Sequence, residues 1–272
     1  MRFSKKPPFK EGEPERTDQV LLSHGAIFGV VGSTHGDAPA HAEMIELLLS
    51  LGAADIFHCG DITGEMTEPE ECVRFSLQGR GRHCVQGNHD VLAVGKEHIH
   101  TYDEYVTRTA QCSARDLSDE ARELLANAPA RIETPFFTIV HESVSPPYYA
   151  KRSKKRRRNH GWDIGSTADE NTTAVCYGRI DRPHFIGADH AAYIIDASPR
   201  LKVTRPRPGE EVTLPRKCVV SVPSVTFSRD DDYNCGGILG VVLPDGLVKV
   251  RFLSITPREH SPQYQFPGET PA

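Results

Sequence analysis

The chain has 272 residues, a formal net charge of −5 and 25 % charged residues. It is long enough to bury a real core, as one large domain or two small ones, and its acid excess argues against a molecule built as a whole to seek nucleic acid. The seven cysteines are odd in number and form no CxxC pair. They sit mostly in apolar runs, which predicts buried, reduced thiols in a cytoplasmic protein rather than a disulfide scaffold. No apolar run approaches a membrane span, and the charged, Pro-rich N-terminus has no apolar stretch of the secretory kind.

In chain order, residues 1–22 predict a flexible tail. A buried strand follows over 26–31, continuous, apolar and rich in β-branched residues. Asp37 is placed to cap a helix with Pro39 in its first turn, an apolar stripe of Met44, Ile45, Leu48 and Leu49, and Gly52 as its stop. A second strand spans 54–59. Thr67-Glu68-Pro69-Glu70 reads as a capping box opening a helix toward Gln78. Residues 82–86 make a third strand. The first ninety residues thus alternate strand and helix, which predicts a parallel sheet with right-handed crossovers. Helices are expected over 97–112 and after Ser118, the latter ended by Pro129. Strands follow over 136–140 and 174–177, and the pattern then turns to β over 185–196, 217–222, 238–243 and 247–253. Pro244-Asp245-Gly246 is a hairpin turn between the last two. One domain is expected over 23–255, with a loop at 150–160 and a second loose tail over 256–272.

Five strand ends carry polar residues of metal-ligand or phosphate-binding type. They are Ser33-Thr34-His35-Gly36-Asp37, Cys59-Gly60-Asp61, Gly87-Asn88-His89-Asp90, Val140-His141-Glu142 and Gly178-Arg179-Ile180-Asp181. In open α/β sheets ligands gather outside the C-terminal ends of the strands. Glycine at such a turn lets backbone approach a ligand closely. There is no Gly-x-Ser-x-Gly elbow and no Walker or dinucleotide glycine pattern, which argues against a serine hydrolase and against those nucleotide folds.

These motifs resemble the calcineurin-like metallophosphoesterase family, whose pattern is Asp-x-His, Gly-Asp, Gly-Asn-His-Asp/Glu, a lone His, and Gly-His-x-His. The likeness covers most of residues 24–255. Ser221-Val222-Pro223-Ser224-Val225, with Arg229-Asp230 beyond it, is similar to a stretch of the bacterial branch that holds small phosphodiesterases and diadenosine-tetraphosphatase-like enzymes. The resemblance implies an α/β fold, a four-layer α/β/β/α sandwich of two mixed sheets flanked by helices. It also implies hydrolysis of a phosphomonoester or phosphodiester, nucleotides among the candidates, by a metal-activated water. One or two divalent ions are implied, manganese foremost, with iron, zinc or nickel as alternatives. Carried over position by position, Asp61 bridges the ions, His35 serves the first, Asn88 and His141 serve the second, and His89 stands beside the phosphate.

Three positions depart from the pattern. Ser33 replaces the first aspartate, and Arg179 and Asp181 stand where the last motif would carry histidines. Two readings follow. In one, His35, Asp61 and Asp181 hold a single ion and Arg179 clamps the phosphate in place of the second. In that reading His89, Asp61 and Arg179 carry catalysis, and Arg179, Asn88 and His89 bind substrate. In the other, the chain is a pseudophosphatase that binds a phosphate ligand or a protein without turnover. His58 is a candidate support for Asp61, and His184 a reserve ligand.

Lys151, Arg152, Lys154, Lys155, Arg156, Arg157 and Arg158 make seven basic residues in eight. A solvated loop is the plain reading of such a run. A contact with a polyanion is the functional one, with Tyr148 and Tyr149 beside it for stacking. A small phosphorylated substrate is the expected partner, and no membrane.

Overall fold

A computed structural model describes residues 16–96, 104–141, 180–187, 192–196, 202–226 and 235–266. The basic run 151–158, Tyr148, Tyr149, Arg179 and the expected strand 174–177 lie outside these residues.

The first strand, β1 (Thr17–Gln19), falls in the stretch whose composition predicts a tail. β2 (Ile27–Val31) is buried from Phe28 onward, as its unbroken apolar sequence requires. α1 (Ala38–Ser50) follows. It buries Met44, Ile45 and Leu48, whereas Leu49 is 47 % exposed, because the residue after Leu48 lies about 100° further round the helix. β3 (Asp55–His58), α2 (Pro69–Leu77) and β4 (Arg82–Cys84) complete the alternation. Gly-Asn-His-Asp, a turn by its sequence, opens a short helix, α3 (Asn88–Ala93). α4 (Glu104–Asp116) and α5 (Asp119–Ala126) come next. The Ser118 hydroxyl caps α5 as expected, accepting the Ala121 N–H at 3.1 Å.

The remaining elements are strands: β5 (Arg131–Glu133), β6 (Thr138–Val140), β7 (His184–Ile186), β8 (Tyr193–Asp196), β9 (Lys202–Thr204), β10 (Glu211–Thr213), β11 (Cys218–Ser221), β12 (Cys235–Val242) and β13 (Val248–Ile255). Gly246, at φ +78°, turns the chain from β12 into β13.

Two mixed sheets result. The six-stranded sheet runs β10-β13-β12-β2-β3-β4, with β2, β3 and β4 parallel as predicted. The seven-stranded sheet runs β1-β5-β6-β7-β11-β8-β9, with β6, β7 and β11 parallel. The sheets face one another across an aromatic layer. Phe28 of β2 stacks on Phe137, just before β6, at 4.5 Å, and Phe57 of β3 and Phe185 of β7 each meet Phe137 edge-on at 5.3 Å. Offset and edge-on pairs of this kind add to the burial term. Phe137→Ala is therefore expected to cost about 3–5 kcal/mol, read as a lowered urea midpoint with unchanged slope. On its other face the six-stranded sheet carries α1, with Met44, Ile45 and Leu48 packed on Val31, Ile56 and Leu253. The two mixed sheets flanked by helices are the architecture the sequence implied.

Parts of both stretches expected to be loose tails, 17–19 and 258–264, belong to the fold. Residues 17–19 pair in parallel with β5. At the other end Tyr264 and Ser261 are buried, Pro262 O accepts the Thr67 N–H at 3.0 Å, and the Tyr264 hydroxyl donates to Asp116 at 2.9 Å. The partners of these segments lie far off in sequence, so local polarity could not report them. The same contacts reach the starts of α1 and α2, where the sequence predicts caps by Asp37 and by Thr67 of the capping box, and where Glu68 instead takes the N-cap position of α2. The Asp37 carboxylate accepts the Ser261 N–H at 3.0 Å and pairs with His260, and Glu68 accepts the Ser261 hydroxyl. Neither side chain caps its own helix. The six described cysteines are unpaired, and no described helix is long and apolar enough to cross a membrane.

Candidate metal centre

The C-terminal ends of β2, β3, β4, β6 and β7 converge at one edge of the sandwich. They deliver, in turn, Ser33 to His35, Gly60-Asp61, Gly87 to His89, His141 and Gly187. Among the described residues only His35 (φ +47°) and Asp61 (φ +53°) are non-glycines in the left-handed region. Each such residue costs on the order of 1–2 kcal/mol, and both belong to this site. Backbone bonds hold them there: the Thr34 and His35 N–H groups both donate to Asp61 O at 3.0 Å, and the Met66 N–H donates to His35 O at 2.8 Å.

Asp61 is nearly inaccessible. Its Oδ1 accepts the His89 N–H at 2.9 Å, and its Oδ2 lies 3.3 Å from His141 Nε2. Burial by itself would raise the carboxyl. The charges of His141, His89 and His35 outweigh it and hold Asp61 well below the usual carboxylate range. Gly87 lies so close that a Cβ there would stand 2.2 Å from Asp61 Oδ1. Asp90 ties α3 to the loop after β3, accepting from Gly87 N at 2.9 Å and from Thr63 N at 3.0 Å.

His141 is the most informative residue. Its Nδ1 lies 2.8 Å from Cys59 O, so Nδ1 carries the proton and donates. In the neutral ring Nε2 is then an acceptor. Yet it faces two further acceptors, Asn88 Oδ1 at 3.1 Å and Asp61 Oδ2 at 3.3 Å. These facing acceptors are reconciled either by a proton on Nε2, which makes the ring an imidazolium paired with Asp61, or by a metal cation between them, and an imidazole anchored through a backbone carbonyl is the usual posture of a metal ligand. The donor set of one nitrogen and two oxygens, one of them anionic, fits a divalent transition ion.

Beside this set, one ligand atom each from His35, Glu65 and His89 lies within 4.8 Å of the others. His35 Nδ1 is 2.9 Å from Glu65 Oε2, and the His35 and His89 rings meet edge-on at 4.9 Å. The His89 Nδ1 is buried without a hydrogen-bond partner among the described residues. Burial alone would lower the His35 pKa, but the charge and hydrogen bond of Glu65 raise it to about 9. Glu65, disfavoured as an anion by burial, is drawn down to about 2 by His35 and His89. The motif pattern does not single out Glu65. The available signal is an acidic residue four positions after Asp61, in the same loop.

His58 supports the site as expected. Its Nδ1 accepts the Gly60 N–H at 3.1 Å, and its Nε2 lies 3.3 Å from the Thr34 hydroxyl. The Ser33 hydroxyl donates to Gly187 O at 2.9 Å and carries no charge, so it does not replace the anionic ligand that an aspartate would supply.

The last motif needs correction. The sequence pattern assigns Asp181 to the first ion, but Asp181 precedes β7, is 65 % exposed through its side chain, and pairs with Arg182 at 2.9 Å. The length of β7 separates it from the centre, roughly 10 Å or more at the usual rise per residue. His184, buried at the start of β7, is likewise at the wrong end. The strand end that reaches the centre is Gly187, whose N–H donates to His141 O at 2.9 Å. The sequence after it, Ala188-Asp189-His190, is therefore where Gly-His-x-His falls, with its second histidine kept and its first an alanine. Residues 188–190 lie outside those described, as does Arg179.

Three histidines are buried in neutral form and give the fold a pH dependence. Burial lowers His41 to about 3 and His184 to about 4, and burial together with His41 and His141 lowers His58. The unfolded chain takes up their protons from about pH 6.5 downward and the folded chain does not. The stability they confer is thus complete above about pH 6.5 and is lost as pH falls toward 4 and 3. The slope is about 1.4 kcal/mol per pH unit for each histidine. His35, raised instead, acts in the opposite sense and elsewhere, its contribution being lost as pH rises through about 9. The urea midpoint of EDTA-treated protein is expected to drop between pH 7 and 5. A level or rising midpoint over that interval would contradict it.

Fold and site together define an α/β/β/α sandwich with nitrogen and oxygen donors gathered at its mouth, a set suited to a divalent cation. Residues 27–194 match the model of the calcineurin-like phosphoesterase superfamily domain. The chain belongs to that superfamily, whose members bind divalent metal. Among solved structures it is similar to a metallophosphoesterase from Sphaerobacter thermophilus (22 % identity, 85 % of this chain and 89 % of that one, TM-score 0.64). It is also similar to a hypothetical protein from Pyrococcus horikoshii (16 % identity, 86 % and 89 %, TM-score 0.56). A third likeness is to a putative diadenosine tetraphosphatase (16 % identity, 88 % and 99 %, TM-score 0.50). At these identities the likeness is one of fold. An uncharacterized protein of Methanocaldococcus jannaschii is 27 % identical over 110 residues, 40 % of this chain and 44 % of that one, so the chain spans less than half the length of that curated relative.

Proposed function

We propose that this chain is a metal-dependent phosphoesterase acting on a phosphomonoester or phosphodiester, nucleotides among the candidates. The observation that carries the reading is His141 Nε2 standing 3.1 Å from Asn88 Oδ1 and 3.3 Å from Asp61 Oδ2, a nitrogen and oxygen donor set that a divalent cation would satisfy. His141, Asn88 and Asp61 would hold a divalent ion there, which would supply Lewis acidity toward phosphate oxygens and acidify a water. The protein does the rest. Asp61, anionic and fixed by the His89 N–H, sets the charge of the site. His89, at the start of α3, is fixed beside the Asp61 carboxylate by its backbone N–H, where its imidazole would stand next to the phosphate. His58 and Asp90 keep the two loops in register. Manganese is the first ion to try. His190, by its place in the sequence pattern, is a further ligand for the His35 side.

The test is hydrolysis of p-nitrophenyl phosphate and bis-p-nitrophenyl phosphate by EDTA-treated protein with and without added manganese. Turnover that requires the ion and disappears in His89→Ala supports the reading. Absence of turnover with the ion bound favours the pseudophosphatase, a reading to which Ser33 and Ala188 at ligand positions lend support.

A further inference from the structure

The first motif lacks its carboxylate, since Ser33 turns its hydroxyl to Gly187 O. A different carboxylate stands beside His35. Glu65 Oε2 is 2.9 Å from His35 Nδ1, and the two side chains are 16 % and 4 % exposed. Glu65 is not part of the motif pattern, yet its loop is clamped against the site from two sides. Toward His35, Gly64 permits the approach, for a Cβ there would lie 2.4 Å from His35 Nδ1. Met66 N–H closes that side on His35 O at 2.8 Å. Toward the C-terminal segment, the Tyr264 N–H donates to Glu65 O at 2.8 Å and Met66 pairs with Gln263. A second observation points to a ligand: His89, whose Nδ1 is buried and without a hydrogen-bond partner among the described residues, belongs to the same trio.

We propose that His35, Glu65 and His89 form a second cation site, in which Glu65 supplies the carboxylate that Ser33 does not. Two imidazoles and one carboxylate suit a borderline divalent ion, zinc above all, rather than magnesium or calcium, which favour all-oxygen sets. Separations under 4.8 Å require only a small inward shift, because ligands about 2.0–2.2 Å from one ion stand roughly 3–4 Å apart. The C-terminal segment 258–266 then acts as a brace for a metal loop, which explains why a polar, Pro-rich stretch is packed so firmly.

The proposal rests on the metal-dependent reading above, and the experiment separates the two. EDTA-treated full-length protein is titrated with zinc, and in parallel with cobalt, whose visible spectrum reports nitrogen and carboxylate ligation. Stoichiometry is read by calorimetry and elemental analysis on wild type, Glu65→Gln, Asp61→Asn and the neighbouring control Glu68→Gln. Two ions per wild-type chain are expected. Glu65→Gln should weaken one of them by about 100-fold or more, since loss of even an outer partner costs 10–100-fold, and should change the cobalt spectrum. Asp61→Asn should retain that ion, and Glu68→Gln should bind as wild type. If Glu65→Gln binds both ions as wild type does, Glu65 is only the ion-pair partner of His35 and the inference falls while the phosphoesterase reading stands. No ion bound by wild type overturns both. Should circular dichroism show Glu65→Gln unfolded, Glu65→Asp is read instead, with a loss of about 10-fold or more expected and wild-type binding counting against the site.

Discussion

Asp61→Asn should fold normally and lose both the ion held with Asn88 and His141 and most hydrolytic turnover. Asparagine is the informative replacement. It keeps the Oδ1 acceptor for the His89 N–H, and it tolerates the left-handed backbone at φ +53° better than alanine would. What it removes is the charge. Without it, His141 Nε2 and Asn88 Oδ1 face a neutral amide, and the anion that a divalent ion needs in a buried site is gone. Loss of one electrostatic contributor of this kind lowers kcat by about 10²–10³-fold, and departure of the ion would lower it further. The measurement is bound metal per chain by elemental analysis, with kcat on the same sample. A variant that binds the ion as wild type does and turns over normally would remove Asp61 from the centre. A variant that lacks the ion held with Asn88 and His141 but keeps a wild-type urea midpoint would establish that the loss is local.

Gly87→Ala should damage the centre through a single methyl group. The added Cβ would sit 2.2 Å from Asp61 Oδ1 and 2.3 Å from Asp61 N. The second of these is backbone, so no rotamer change relieves it. The loop after β3 and the start of α3 would have to separate, and the Asp90 bond to the Gly87 N–H at 2.9 Å would stretch with them. Overpacking of this kind costs about 1–3 kcal/mol or more. The catalytic effect should be larger, because misplacing reacting groups by about 1 Å can cost 10²-fold. Gly209→Ala is the control. Gly209 has φ +83° and nothing within 4 Å of the place a methyl group would take, so it should lose about 1–2 kcal/mol from backbone conformation alone and leave kcat untouched. Equal kcat in both variants would show that the close approach at Gly87 has no bearing on the centre.

Much of the fold was legible because its signals are local. The apolar run ending at Val31, the helix stripe of Met44, Ile45 and Leu48, and the Ser118 cap each depend on residues within a turn or two of one another. So do the strand-end motifs that bring in His35, Asp61, Asn88, His89 and His141, all of which meet at the centre. What could not be read locally was which strand lies beside which. The sequence pattern places the last motif on Gly178, but pairing puts β7 between β6 and β11, and only then does Gly187 become the strand end at the site and Asp181 a residue at the opposite edge. A one-dimensional pattern with a degenerate motif cannot choose between two glycines nine residues apart, whereas hydrogen-bond pairing and the twist of a closed sandwich can. Glu65 was decided in the same way. Its carboxylate matters because His35 stands 2.9 Å from it and Tyr264, far along the chain, holds its backbone. Composition set the order of the elements and the chemistry available at their ends. Tertiary packing selected which of those groups share one buried volume, since electrostatic and hydrogen-bond energies depend on distance in space and not on separation along the chain.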